Sequence, residues 1–252
     1  MPYSKITDRA KSEENIRDTL QEIITWSQSA EFSLLDHNIE NRQTFLIRNW
    51  DKLFSDIGDK LCSLDTLKDS SSFKPFADRS QILDGKLNIL LKNLQSLHVI
   101  QTKWVYLEPI FIHGIAPPKK QLFCDIDKTF REIMRRIRQN PKVFDIVSST
   151  IHYELDECLH NTLNQIESCE RSLLHFLEEK RSKMARFYFL SNDDLLELIG
   201  NSSDEFVAQK HIPKLFQAVF KIIIGNDMFI SAFESFEGEF VQLSKVRMTN
   251  MK

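Results

Sequence analysis

Between residues 83 and 104, Leu83, Leu87, Leu90, Leu94, Leu97, Gln101 and Trp104 follow one another at alternating intervals of four and three. On a helix this spacing draws a single stripe with a coiled-coil period, and a stripe that long has to be covered by other elements. The chain is thereby constrained to a fold of long packed helices. Pro109 has no amide hydrogen and biases Glu108 away from helical geometry, so the helix is predicted to stop near Leu107. Trp104, Tyr106 and Phe111 crowd that stop. By physics alone the stretch is an interhelix corner with a heavy aromatic load, and packing is favoured over binding.

The rest of the chain repeats the pattern. Ile16, Leu20, Ile23 and Ile24 share a face and predict a first helix over residues 11–28. Two short β-prone runs, residues 31–36 and 43–47, suggest a hairpin. A second helix is predicted from near Asn49, with Trp50, Leu53, Ile57, Leu61 and Leu64 in its seam. After a break at residues 69–76, the striped helix is predicted over 78–107, a rise of roughly 45 Å. These two helices most simply pack antiparallel.

Residues 113–118 read as a loop. Leu122, Ile126, Phe130, Ile133 and Ile137 then mark a helix that ends at Asn140 and Pro141, and a short helical piece follows at 143–147. Leu155, Leu159, Thr162, Ile166, Cys169, Leu173 and Phe176 form a second long seam. Arg186, Phe187, Tyr188, Phe189 and Leu190 are bulky and β-prone, and Ser191, Asn192, Asp193 and Asp194 suit the start of a short helix closed by Gly200. Residues 206–220 are predicted to be interrupted at Pro213, and residues 222–243 to form a three-stranded meander. The fold class is therefore mainly α, with elongated antiparallel helix hairpins and bundles, a small N-terminal β-hairpin and a short C-terminal β-meander.

The 252 residues carry a formal net charge of -3 with mixed signs, which gives no long-range attraction for nucleic acid or an anionic membrane. The basic group Arg131, Arg135, Arg136 and Arg138 has acidic neighbours and reads as a solvated helix face. The N-terminus lacks a signal-peptide pattern and no window is apolar enough to span a bilayer, so a cytosolic chain with reduced thiols at Cys62, Cys124, Cys158 and Cys169 is expected.

No motif that carries chemistry is expected in this chain. The chain has six glycines and contains neither GxxxxGK[ST] nor GxGxxG, so it has no evident phosphate loop, and GxSxG is also missing. His152 and Glu154 match half of a zinc-deaminase signature, but the PCxxC half is lacking. Helix capping explains Asp193 and Asp194, and a solvated face explains Glu178 and Glu179. No catalytic, cofactor-binding or metal-ligating residue is expected. For the aromatic runs, burial tendencies favour core over docking surface.

The run Trp104, Val105, Tyr106, Leu107, Glu108, Pro109, Ile110, Phe111 resembles a signature of the linker region of dynein heavy chains. The likeness spans nearly the whole chain and includes Trp50 to Leu53, the run from Phe176 to Arg181, Arg186 to Ser191, Asp194 to Gly200 and Phe236 to Glu239. Within the family it is most similar to the cytoplasmic class serving retrograde intraflagellar transport. The resemblance implies a dynein linker-like fold and a non-catalytic mechanical segment that bends and straightens against an AAA+ ring to move cargo toward microtubule minus ends. It implies that ring as partner in cis, with dynein intermediate and light chains in the complex, and a cytoplasmic, cytoskeletal or ciliary location.

It also implies three segments, at 1–112, 113–200 and 201–252, the last truncated before the ring. Trp104, Tyr106, Glu108, Pro109, Phe111, Arg186, Phe187, Tyr188 and Phe189 become family signature residues with structural or docking roles. Lys119, Lys120 and Ala185 depart from the family pattern, which bears on local docking contacts rather than on the fold. Independently of the family, rigid helix pairs separated by breaks at Pro109, Pro117, Pro118, Pro141 and Gly200 suit a lever. The alternative is a standalone helical scaffold or tethering protein; an unrecognised hydrolase or metal enzyme ranks behind it.

Overall fold

A computed structural model describes residues 2–39, 42–70, 72–112, 119–147, 152–201, 204–224 and 229–247. In chain order the elements are α1 (Pro2–Ser29), β1 (Ser33–Ile39), β2 (Arg42–Arg48), α2 (Trp50–Lys68), α3 (Ala77–Ile112), α4 (Lys120–Gln139), α5 (His152–Lys183), α6 (Asn192–Gly200), α7 (Glu205–Leu215), β3 (Lys221–Ile224), β4 (Phe229–Glu234) and β5 (Phe240–Arg247). Short 3-10 turns occupy Lys74–Phe76, Val143–Val147 and Ala185–Phe189. The mainly α class, the N-terminal hairpin and the C-terminal meander are all present. The predicted loop at residues 113–118 lies outside the described residues.

Two compact units divide the chain, one from residues 1–105 and 124–167, the other from 106–123 and 168–252. The first is a helical bundle. Its core is the predicted stripe, with Leu87, Leu90, Leu94, Leu97 and Trp104 shielded from solvent together with Ile16, Leu20, Ile23, Ile57, Leu64, Phe130 and Ile166. Neighbouring helices run antiparallel: Lys60 of α2 bonds Glu22 of α1, and Ser12 of α1 meets Ser70 just beyond α2. At one end of α2 the Trp50 ring lies tilted against His98 of α3 with centroids 4.8 Å apart, and at the other Lys68 approaches Asp84 at 3.5 Å.

The hairpin β1–β2 is antiparallel in register from Ser33 opposite Arg48 to Ile39 opposite Arg42. It is tied to α3 through Gln101, which occupies an apolar position of the stripe. The Gln101 amide donates from Nε2 to the Ile47 carbonyl at 3.0 Å and accepts the Ile47 amide hydrogen on Oε1 at 2.9 Å. One side chain thus supplies Ile47 with the two bonds that a neighbouring strand would provide.

In the second unit, β3, β4 and β5 form an antiparallel sheet in chain order. Gln209 of α7 repeats the glutamine device: it accepts the Ile222 amide hydrogen at 3.0 Å and donates to the Ile222 carbonyl. Helix α6 begins where Ser191 Oγ accepts the Asp194 amide at 3.1 Å, as the sequence predicts. Ser191→Ala is expected to cost about 1 kcal/mol, measured by denaturant unfolding.

Three local expectations are corrected. Helix α3 does not stop at Leu107; it continues through Pro109 to Ile112. Proline withdraws only the bond to the carbonyl four residues back, at Val105, an exposed position where water can replace it, while Leu107, Ile110 and Phe111 gain burial by staying helical. Pro213 likewise sits inside the last turn of α7 rather than breaking the helix earlier. Residues Ala185–Phe189 form a 3-10 turn instead of a β-run. Phe187 and Leu190 are the buried pair there, three apart, which is the spacing that shares one side of a 3-10 turn.

Candidate functional site

The signature residues fall into two groups. In the first unit, Trp104 is wholly buried, its indole 4.5 Å from Phe130 and edge-on to His37 at 5.6 Å. Its Nε1 donates to Asp127 Oδ1 at 3.2 Å; Arg131 Nε donates to the same oxygen at 2.8 Å, and the Arg131 guanidinium lies 5.2 Å from the indole centroid. A large apolar ring is thus buried with its one polar atom satisfied by an ion pair. The site locks helices α3 and α4 to the hairpin, and none of these groups is left poised for chemistry.

In the second unit Phe111 stacks on Phe123 at 4.5 Å, and Glu108 is fully buried. Pro109, inside α3, is half-buried. Tyr106 is exposed at its ring, and its hydroxyl donates to Asp193 Oδ1 at 3.3 Å. Burial, then the Asp193 carboxylate, pushes the Tyr106 phenol above its usual range. Arg186 donates from Nη1 to the Leu215 carbonyl at 3.0 Å and lies 4.5 Å over the Phe216 ring, tying the turn to α7. Phe187 is buried; Tyr188 and Phe189 are 56% and 70% exposed, and the Tyr188 hydroxyl bonds Glu178. The aromatic signature therefore divides: Trp104, Phe111 and Phe187 are core, whereas Tyr106, Tyr188 and Phe189 face solvent.

Of the basic group read as a solvated helix face, Arg135, Arg136 and Arg138 are solvated, but Arg131 is not: it is part-buried against Asp127 and Trp104. Arg135 and Arg136 both bind Glu132, at 2.8 and 3.0 Å, and push its carboxyl down to about 2; Arg138 approaches Asp36 at 3.6 Å. Glu179 pairs with Lys183 at 2.8 Å. The side chains of His152 and Glu154 lie outside the described residues.

One cluster was missed from sequence. Among the described residues, Asp194 and Glu197 of α6 and His211 of α7 bring ligand-type atoms within 4.8 Å of one another. His211 is fully buried, with Nε2 3.0 Å from Glu197 and Nδ1 3.7 Å from Asp194. Lys214 holds Asp194 at 2.8 Å and Lys210 holds Glu197 at 2.8 Å. Two lysines already neutralise the two carboxylates and one imidazole nitrogen is spent on Glu197, so the donor set acts as a clasp between helices and fits a metal poorly. Residues so far apart in sequence leave no spacing signal beyond the i, i+3 pair Asp194 and Glu197.

The lysine hydrogen bonds, first among the causes, hold both carboxyls below their ordinary range. Depressed carboxyls contribute stability that is present above the ordinary carboxylate range and lost as pH falls through the depressed values. A double variant Asp194→Asn, Glu197→Gln is therefore expected to melt below the wild type at neutral pH, with the gap closing as pH falls through the depressed carboxyl values. Parallel melting curves at every pH would remove the clasp.

The described residues thus form a mainly helical chain whose helices are joined by buried aromatic contacts and ion pairs. Residues 2–252 match the family model described as dynein heavy chain, N-terminal region 2. The chain belongs to the dynein heavy chain family. It is 41% identical over 248 residues to cytoplasmic dynein 2 heavy chain 1 of Rattus norvegicus and 37% identical over 247 residues to that of Chlamydomonas reinhardtii, covering 97% and 96% of this chain. It is 33% identical over 251 residues, 97% of this chain, to the cytoplasmic dynein heavy chain of Caenorhabditis elegans. The chain spans 6% of the length of the first two relatives and 5% of the third.

Proposed function

We propose that the chain acts as a non-catalytic mechanical linker segment of a minus-end-directed dynein motor serving retrograde intraflagellar transport. The single observation that carries this reading is the identity of up to 41% to cytoplasmic dynein 2 heavy chains, in a range of 34 to 41%, against 33 to 34% to cytoplasmic dynein heavy chains named without that class. The bundle suits the role physically. Bending a helix pair whose seam is as dry as that of Leu87, Leu90, Leu94 and Leu97 would separate packed side chains, so load passes through such a pair with little deformation.

On this reading the partner is the AAA+ ring of a dynein heavy chain in cis, with intermediate and light chains in the same complex. The location is cytoplasm, cytoskeleton and cilium. The functional division follows residues 1–112, 113–200 and 201–252, and exposed Tyr106, Tyr188 and Phe189 are candidates for docking. Nucleotide turnover by the purified chain, with magnesium and ATP, tests the non-catalytic part. The expected rate is that of a blank. Turnover that follows the chain through purification and falls with its unfolding would overturn it.

A further inference from the structure

Among the described residues, two cross-strand pairs set a phenylalanine opposite a carboxylate. In the N-terminal hairpin Asp36 stands opposite Phe45, and in the C-terminal sheet Glu234 stands opposite Phe240. Residues directly opposite in an antiparallel ladder share a face, so each pair presents a ring and a carboxylate side by side. The first pair is filled. Arg138 of α4 has its guanidinium carbon 3.8 Å from the Phe45 ring centroid and its Nη1 3.6 Å from Asp36 Oδ1. A planar cation that covers a ring and reaches a carboxylate at its edge is what a guanidinium supplies and a compact ammonium does not.

The second pair is open. Phe240 is 61% exposed; among the described residues no cation lies over it, and Glu234 makes no ion pair although Lys221 stands opposite it on β3. The turn beside the pair adds exposed Glu237 and Glu239, which also make no ion pair among the described residues. That turn is fixed by its own bonds. Ser235 Oγ accepts the Glu237 and Glu239 amide hydrogens at 3.2 and 3.0 Å, the Ser235 amide donates to the Glu239 carbonyl at 2.9 Å, and Gly238 takes a φ of 83° that a side chain would strain. The backbone that carries the ring and the carboxylates is therefore set before a partner arrives.

We propose that Glu234 and Phe240 form a receptor for an arginine side chain of a basic protein segment. The guanidinium stacks on Phe240 and donates to Glu234, and a neighbouring basic residue of the same segment meets Glu237 and Glu239. Charge decides among the occupants. Three carboxylates free of ion pairs repel phosphate groups, which disfavours nucleic acid and anionic lipid, and a two-fold contact with a second copy would bring the same carboxylates face to face. A cationic segment has the complementary sign, and its arginine repeats the contact that Arg138 makes within the chain. The receptor is independent of the motor role: either can fail without the other.

Three fluorescein-labelled hexapeptides, alternating glycine with arginine, lysine or citrulline, test it by anisotropy at low salt with the full 252-residue chain. The arginine peptide is expected to bind at least threefold more tightly than the lysine peptide, and the citrulline peptide not to bind. Glu234→Gln and, separately, Phe240→Leu are expected to weaken the arginine peptide at least fivefold and to bring it level with the lysine peptide. Glu179→Gln, which removes an equal charge on α5, is expected to leave binding unchanged. Should Phe240→Leu fail to fold, Glu234→Gln decides alone. No binding of the arginine peptide, equal binding of the arginine and lysine peptides to the wild type, or no loss in Glu234→Gln would overturn the proposal. So would sedimentation of a dimer that Glu234→Gln dissolves, which would give the place to a second copy.

Discussion

Replacing Trp104 with alanine is expected to destabilise the chain by about 3 to 5 kcal/mol, the range for removing a large aromatic from a packed core. The indole is wholly buried against Phe130 and His37, so truncation opens a void that the surrounding helices cannot fully close. The same change deprives Asp127 of a donor, although Arg131 still holds that carboxylate at 2.8 Å. Trp104→Phe separates the two contributions. It retains most of the apolar area and loses only the Nε1 bond, for which about 1 to 3 kcal/mol is expected because the acceptor is charged. Denaturant unfolding of the pair measures both, and an alanine variant with an unchanged midpoint would show that the indole is not core.

The second large effect is expected at Gln101. Substituting leucine keeps the stripe apolar and would stabilise an ordinary helix seam. Here it strands the amide and the carbonyl of Ile47, a residue only 2% exposed, because Gln101 satisfies both. Each unsatisfied buried group costs about 1 to 3 kcal/mol, so a net loss of about 2 to 4 kcal/mol is expected once the added apolar burial is offset. Gln101→Glu keeps one O–H donor and one acceptor while protonated and should then approach the wild type, whereas the ionised form keeps acceptors only, leaves the Ile47 carbonyl without its donor and should fall toward leucine. Amide exchange at Ile47 gives a local readout: it should accelerate in Gln101→Leu well before the rest of β2. A leucine variant as stable as the wild type would mean that the hairpin does not depend on α3 for these bonds.

The sequence made the repeating features legible. Seven positions from Leu83 to Trp104 specify one helical face whatever surrounds them, and the same holds for Leu155 to Phe176; both seams lie on helices where expected. The meander was legible because short apolar strands are punctuated by Gly225 and Gly238. What failed were places where tertiary burial outweighed a local preference. Pro109 carries a local penalty, yet it is one hydrogen bond against the burial of Leu107, Ile110 and Phe111. Arg186 to Leu190 has β-prone side chains but, among the described residues, no strand pairs with it, and the chain settled into the turn that buries Phe187 and Leu190 together.

The site was legible in part. Trp104, Phe111 and Phe187 are the core residues that burial tendency favoured, while Tyr106, Tyr188 and Phe189 show that one aromatic run can serve both interior and surface. Nothing in the sequence marked the glutamine clamps or the Asp194, Glu197 and His211 clasp. Their partners are separated by 54, 13 and 14 positions, and pairing at such distances is set by packing rather than by local spacing.

The central claim is that this chain transmits load without doing chemistry. The most direct measurement grafts it in place of the matching segment of a cytoplasmic dynein 2 heavy chain and records ATP turnover and microtubule gliding together. The expected result is minus-end-directed gliding near the parental speed, with Trp104→Ala in the graft slowing gliding while ATP turnover continues. A correctly folded graft that turns over ATP at the parental rate and moves no microtubules would contradict it.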